Sequence, residues 1–382
     1  MLFFKLGFLF LNRWYLFGSS ALLGLGAAVI WTAQGKYLAL NSQPETAGKH
    51  SGLFWALSQA CQVCGGLFLL IVFLLHAHQN PEEHYQFGSS FAPSTVKLLY
   101  LVFTGVTILG ALILGLLPLN EVNNLGNRRQ REVVFPSPSE LLDPINQLSS
   151  QVVVNNYSVE NEHLFTSFLF MLKATFNLSK TFKMALLSLP FMYTGLIVSF
   201  WSSVYPTSIA NTELFQVNQG IDPKVLLALN VIIQGIGQSS AGLLFGIFGS
   251  KTAKFFTRLN IVLIGSFLQL LAFFAIFSSI PGNASLGKTL EEGVLIAPKI
   301  WLALLSGFLI GFGDSCWNTQ IFAFLISNYS QQESASAFSL FKFYQSLLTF
   351  FAFFYASLLS LYWHLLFLFI GSTFCFVKFC FC

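Results

Sequence analysis

The sequence predicts an all-α protein that crosses a membrane many times. Apolar residues make up 55% of the chain, only 9% of its residues are charged, and 45 are phenylalanine. This composition leaves too little polar surface for a water-soluble fold. Several apolar stretches also exceed the roughly 20 helical residues that span the hydrocarbon core. We therefore expect an integral multi-pass protein of the plasma membrane or an internal membrane, with the lipid bilayer as its first partner.

A pattern of tryptophan and glutamine occurs twice, and in both copies it follows a Gly-x-Gly within a long apolar run. The two tryptophans and the two first glutamines are each 286 positions apart, and a second glutamine follows each tryptophan by 28 positions. The first copy is Trp31, Gln34 and Gln59; the second is Trp317, Gln320 and Gln345. Many secondary transporters consist of two repeated six-helix halves. The pattern therefore predicts two related helical halves.

The N-terminal half, residues 1–118, contains three full spans, near 14–33, 52–75 and 96–117. Only 30 residues precede Trp31, which is too few for the helices that precede its counterpart Trp317. Residues 1–11 are apolar but too short to cross a bilayer, so they are expected to be the remnant of a third helix. A signal peptide is less favoured, because no small-residue cleavage site follows before Arg13. The half is thus expected to lack its first helices.

Two polar segments separate the halves. Residues 119–162 are rich in Asn, Ser, Gln and Glu and carry the cluster Arg128, Arg129 and Arg131, which predicts a cytoplasmic linker. Residues 163–183 place phenylalanine and leucine at helical spacing beside Lys173, Lys180 and Lys183. This pattern indicates an amphipathic helix on the membrane surface.

The C-terminal half, residues 184–382, contains six spans, near 184–205, 224–249, 256–280, 299–325, 335–358 and 362 to the end. Nine full spans of an expected twelve are therefore present. The amides Asn230, Gln234 and Gln238 in its second span either line a polar path or join neighbouring helices. Asn283 begins a glycosylation sequon in a loop predicted to lie outside the cell or in the lumen.

Asp314 is the principal candidate for a functional residue. It lies in the middle of an apolar run, where an ionised side chain costs several kcal/mol, so a partner or a bound proton or cation has to compensate. Lys342 either pairs with Asp314 or extends to the cytoplasmic interface. The full candidate set for binding a solute or ion is Asp314, Asn318, Gln320, Gln34, Trp31, Lys342 and Gln345.

Other classes of function have little support. The chain has no nucleotide-binding loop and no nucleophile paired with a base, so we expect neither an enzyme nor a cofactor. Its cations are not gathered with aromatic residues in one patch, which argues against nucleic acid. Cys61 and Cys64 lie inside a span without a second pair, so no metal site is expected there.

Several motifs resemble the uncoordinated-93-like family of the major facilitator superfamily, and most closely its orphan major-facilitator-domain-containing members. They are Trp31-Thr-Ala-Gln34, Ser51-Gly52-x-Phe54-Trp55, Tyr193-Thr194-Gly195-Leu196, Gly313-Asp314-Ser315-Cys316-x-Asn318-Thr319-Gln320 and Phe341-Lys342-Phe343-x-Gln345-Ser346. The resemblance implies a twelve-helix bundle. It also implies one of two functions, because some members are named regulators of ion channels or chaperones of receptors and others are orphan solute carriers.

The two functions make different use of Asp314. In a carrier of unknown substrate, Asp314, Asn318, Gln320 and Gln34 would face a central cavity, and Asp314 would bind a proton or cation. In a non-transporting subunit for an ion channel or membrane receptor, the same polar residues would only hold helices together. A mid-span carboxylate among glycine and asparagine favours the carrier slightly.

Overall fold

The computed structural model describes residues 12–79, 93–116, 169, 171–248 and 257–379. Its α-helices are α1 (Arg13–Leu40), α2 (Ala47–Gln79), α3 (Pro93–Gly115), α4 (Phe182–Ser199), α5 (Tyr205–Asn211), α6 (Leu214–Gln219), α7 (Pro223–Phe248), α8 (Arg258–Ser279), α9 (Ile300–Asn328), α10 (Ser334–Ala356) and α11 (Leu361–Phe379). A further helical segment covers 171–179. The predicted helix remnant 1–11, the linker 119–162 and most of the start of the amphipathic segment lie outside the described residues.

Seven helical segments in the described part of the chain are long and apolar enough to cross a membrane, and shorter apolar helices cover Lys97–Ile113 and Leu361–Phe376. The prediction of a helical multi-pass membrane protein is confirmed. The count of nine full spans and the lack of the first helices of a twelve-helix bundle remain predictions.

Two compact units divide the chain: Met1–Gly26 with Ser90–Lys173, and Ala27–Ser89 with Ala174–Cys382. Within the first unit, α3 is apolar and exposes leucines such as Leu101 and Leu109. In the second unit α9 is the central helix, in contact with α2, α7 and α8. All residues of α9 from Gly313 to Ile326 are buried.

Glycines allow α2 and α7 to pack closely. A β-carbon on Gly52 would lie 2.7 Å from the carbonyl oxygen of Gly242 and 2.7 Å from the α-carbon of Gly246. One on Gly242 would in turn lie 2.8 Å from the carbonyl oxygen of Gly52. Small residues at helix crossings are typical of membrane proteins, where close backbone packing replaces the hydrophobic effect as the driving force.

The span that begins with α4 contains a break near its end. Phe200–Val204 form a π-helical turn, in which the Tyr205 N–H donates to the carbonyl oxygen of Phe200. Pro206 follows directly and has no N–H to continue a regular helix. The Tyr205 hydroxyl donates to the backbone carbonyl of Ala303 on α9, at 2.5 Å. Pro190 lies buried inside α4.

The helices of the two sequence repeats contact each other crosswise. The C-terminal part of α1 contacts α10, where the Ser339 hydroxyl lies 3.5 Å from that of Thr32. The corresponding helix of the second copy, α9, contacts α2, where Phe322 lies 5.9 Å from Trp55 between ring centroids. The predicted repeat would relate α1 to α9 and α2 to α10, and two halves related by a twofold axis would show an exchange of this kind; the repeat itself stays a prediction.

The loop between α8 and α9 is folded. Thr289 donates its N–H to the carbonyl oxygen of Asn211 and accepts from the N–H of Glu213, at 2.9 and 3.0 Å. Asn283 is exposed, and its amide nitrogen lies 3.1 Å from a carboxylate oxygen of Glu291. The predicted sequon is therefore accessible at the surface of this loop.

Candidate functional site

Asp314 is buried in the middle of α9, with 1% of its surface exposed. One carboxylate oxygen accepts a hydrogen bond of 2.9 Å from the side-chain amide of Asn318, one helical turn later. The other accepts one of 3.0 Å from the amide of Gln238 on α7. Both bonds come from neutral groups. In the described part of the chain no cation contacts Asp314, so the hydrogen bonds from these two amides are the contacts that stabilise a negative charge on its carboxylate.

A stripe of three amides on α7 faces α9. Asn230, Gln234 and Gln238 are four residues apart, so they lie on one face of the helix, and each is at most 1% exposed. A β-carbon on Gly307 would collide with Asn230 Oδ1, and one on Gly311 with the backbone carbonyl of Gln234. The glycines of α9 thus make room for the amides, and the stripe leads along α7 to Asp314.

Several polar atoms of this stripe and of Asn318 on α9 have no hydrogen-bond partner among the described residues. They are both side-chain polar atoms of Asn230, the Gln234 Nε2, the Gln238 Oε1 and the Asn318 Oδ1. A buried polar group without a partner costs about 1–3 kcal/mol. The sequence left open whether these amides line a path or join helices. The glycine contacts show close helix packing, while the unpaired atoms retain hydrogen-bonding capacity at the same place.

Residues of α4 and α8 contact α9 next to Asp314. The Tyr193 hydroxyl donates to Gln269 Oε1 at 2.6 Å, and the Tyr193 ring packs edge-on against Trp317, with 5.4 Å between centroids. Gly313 faces Gln269 so closely that a β-carbon there would clash with its side chain. Trp317, the tryptophan of the second repeat, is thus a buried packing residue beside the candidate site.

Lys342 on α10 forms a separate cluster with residues of α1, α4 and α9. Its Nζ donates to Gln345 Oε1 at 2.8 Å, and the Gln345 amide donates to the Thr194 hydroxyl at 3.1 Å. The ammonium lies 4.3 Å from the ring centroid of Trp31, 4.6 Å from that of Phe341 and 5.7 Å from that of Phe322.

The contacts of Lys342 in the described part of the chain do not include Asp314, so the two residues form no direct ion pair. Extension of Lys342 to the cytoplasmic interface stays a prediction. The fixed position of its ammonium comes from the aromatic rings and one amide.

The remaining predicted residues lie apart from the Asp314 carboxylate. Gln320 is buried on α9, and its amide lies 3.4 Å from the hydroxyl of Thr319. Gln34 is half-buried on α1, one turn beyond Trp31. The predicted set therefore divides into an Asp314–Asn318 centre and a Trp31–Lys342–Gln345 centre.

Sequence reasoning missed Gln238 and Gln269 as members of the site. Gln238 was recognised as part of a polar stripe but was not assigned to Asp314, since periodicity gives the face of a helix and not its partner. The glycines Gly307 and Gly311, at the same four-residue spacing on α9, were the pattern that could have paired the two helices.

Comparisons with known proteins agree with this architecture. A family model described as "Ion channel regulatory protein UNC-93" matches residues 1–381. The UNC93-like protein MFSD11 of Xenopus tropicalis is 32% identical over 372 residues, which cover 96% of this chain and 75% of the relative. The Xenopus laevis protein of the same name is 32% identical with the same coverage. The human protein unc-93 homolog A is 26% identical over 364 residues, covering 80% of this chain and 69% of the relative. The chain therefore belongs to the UNC-93 family and is a multi-pass membrane protein of the major facilitator type.

Proposed function

We propose that this protein is a solute carrier in which Asp314 takes up and releases a proton, or a small cation in its place. The observation that carries the proposal is a carboxylate that is almost completely buried in a span and that, among the described residues, accepts side-chain hydrogen bonds from two amides and no cation. An ionised carboxylate at this depth costs several kcal/mol, and protonation removes that cost. Reversible protonation is thus the simplest role for a carboxylate without a contacting cation.

The two amides suit both forms of the carboxyl group. Gln238 and Asn318 each donate an N–H to Asp314, while Gln238 Oε1 and Asn318 Oδ1 have no hydrogen-bond partner within the described part of the chain. Rotation of either amide by half a turn would present an acceptor to a protonated carboxyl group. The titratable groups within electrostatic range of Asp314 are Lys342 on α10, Tyr193 on α4 and Cys316 on α9. Among these, only Lys342 brings a positive charge.

A comparison of solute uptake tests the proposal without a known substrate. Cells that express the wild type, Asp314→Asn or no added protein are given a mixture of small metabolites at acidic and at neutral external pH. Mass spectrometry then measures what accumulates. We expect at least one solute to accumulate with the wild type in a pH-dependent manner and not with Asp314→Asn, at equal surface expression.

Asp222→Asn is the matched control, because it removes a carboxylate outside the spans. Asp222 caps α7 through the Lys224 N–H, and asparagine caps helices equally well. This variant should retain the wild-type accumulation. The carrier proposal fails if no solute distinguishes wild-type cells from control cells, or if Asp314→Asn and Asp222→Asn behave alike.

The second candidate is a non-transporting regulatory or chaperone subunit for an ion channel or membrane receptor. It is favoured by the description of the matching family model and by the glycine-packed amide stripe, which is typical of side chains that hold helices together. This candidate predicts that another membrane protein co-purifies with the wild type in mild detergent, and that Asp314→Asn leaves its recovery unchanged.

A further inference from the structure

Lys342 is a cation within a span whose charge no contacting group neutralises. In the described chain its one hydrogen-bond acceptor is Gln345, a neutral amide, so two of its three N–H donors have no protein acceptor. A lysine inside the membrane is costly, as an aspartate is. Cation–π contacts contribute only about 0.5–2 kcal/mol each, and they leave the charge itself uncompensated.

The residues around Lys342 are less deeply buried than Asp314. Lys342 and Trp31 each keep part of their surface exposed, in contrast to Asp314. A molecule that binds the ammonium would enter between α1 and α10, the helices that carry Trp31 and Lys342. Such a molecule would meet the rings of Trp31 and Phe341 beside the charge, and the Thr194 hydroxyl and Gln345 amide behind it.

We propose that Lys342 is the binding site for the solute, and that the solute is a small monocarboxylate with a flat apolar body. The ammonium and its two open N–H donors would bind the carboxylate, and the ring of Trp31 would pack against the body. This inference rests on the proposed carrier function and extends it, because it names the class of solute.

Binding of radiolabelled benzoate to purified protein in detergent tests the inference, because benzoate is a flat carboxylate. We expect saturable binding that unlabelled benzoate displaces, whereas benzamide and chloride at the same concentration do not. Benzamide has the same shape without the charge. Equal displacement by benzamide, displacement by chloride, or no saturable benzoate binding to the wild type would overturn the inference without any variant.

Three variants locate the site. Lys342→Gln should weaken benzoate binding about tenfold or more, equivalent to about 1.4 kcal/mol. Lys342→Arg should retain binding, because it keeps the positive charge. Lys224→Gln is the control: it removes a cation at the N-terminal end of α7 and should bind benzoate as the wild type does. Wild-type affinity in monodisperse Lys342→Gln would refute the assignment. If this variant does not fold, Trp31→Leu replaces it, with weakened binding expected and unchanged affinity contradicting the site.

The binding assay needs no transport, so the two proposals fail separately. If benzoate binding depends on Lys342 but no solute accumulates in cells in a pH-dependent manner, the binding site is supported and the carrier proposal is refuted. Proton-dependent accumulation without benzoate binding would support the carrier and refute the anion site.

Discussion

Replacement of Gly52 by alanine should destabilise the protein, whereas the same change one turn earlier, at Gly48, should stabilise it slightly. Both glycines lie in α2. A β-carbon at Gly52 would lie 2.7 Å from the backbone of α7 at two points, while one at Gly48 would meet no atom within 4 Å. A comparison of the two variants therefore distinguishes the effect of close packing between α2 and α7 from the effect of the higher helix propensity of alanine.

The magnitudes follow from these distances. Carbon atoms attract best at about 3.5–4.0 Å, so α2 and α7 would have to separate by about 1 Å at Gly52. Overpacking of this kind costs about 1–3 kcal/mol. At about 2 °C per kcal/mol, the lower end of the usual sensitivity, the apparent Tm should fall by about 2–6 °C. Gly48→Ala should raise it by about 1–2 °C, because alanine favours a helix by about 0.5–1 kcal/mol.

The assay is the fraction of monodisperse protein that remains after brief heating, measured by size-exclusion chromatography over a series of temperatures. Unfolding of membrane proteins in detergent is commonly irreversible, so the two variants and the wild type are heated side by side at one rate. Shifts of the same sign and size for Gly52→Ala and Gly48→Ala would refute the close packing of α2 on α7.

Two further predictions concern polar side chains. Asn230→Leu should raise the apparent Tm by a few degrees in the same assay, because it removes a buried amide with no partner, whereas Gln238→Leu should lower it by taking a donor from Asp314. A lower Tm for Asn230→Leu would show that this amide is satisfied in the folded protein. Asn283→Gln should abolish the gel-mobility shift caused by removal of N-linked glycans. Asn177→Gln should leave the shift intact, because its sequon, Asn177-Leu178-Ser179, lies in the amphipathic segment that follows the predicted cytoplasmic linker. The reverse result would invert the predicted orientation.

The sequence predicted the class of fold and the position of its most unusual residue. Composition and the lengths of the apolar runs were sufficient for a helical membrane protein, because lipid permits few alternatives. The cost of a charge in lipid was sufficient to single out Asp314, which the structure places among the most buried residues of α9.

The partners of that residue could not be predicted, because they come from other helices. The sequence left open whether Lys342 pairs with Asp314. In the structure Asp314 accepts a hydrogen bond from the amide of Gln238, and the ammonium of Lys342 lies over the ring of Trp31. Which helices face each other depends on how closely their backbones approach, and that depends on glycines whose neighbours lie on other helices, far away in sequence. The periodicity of a single sequence indicates which face of a helix is apolar, but it does not indicate which other helix packs against that face.

The most direct test of the account is the infrared spectrum of the purified protein as the pH is raised and lowered. We predict the carbonyl band of a protonated buried carboxyl group that disappears on alkalinisation, returns on acidification and is missing from Asp314→Asn. A spectrum without such a band at any pH at which the protein stays folded, or one that Asp314→Asn leaves unchanged, would contradict the claim that Asp314 exchanges a proton.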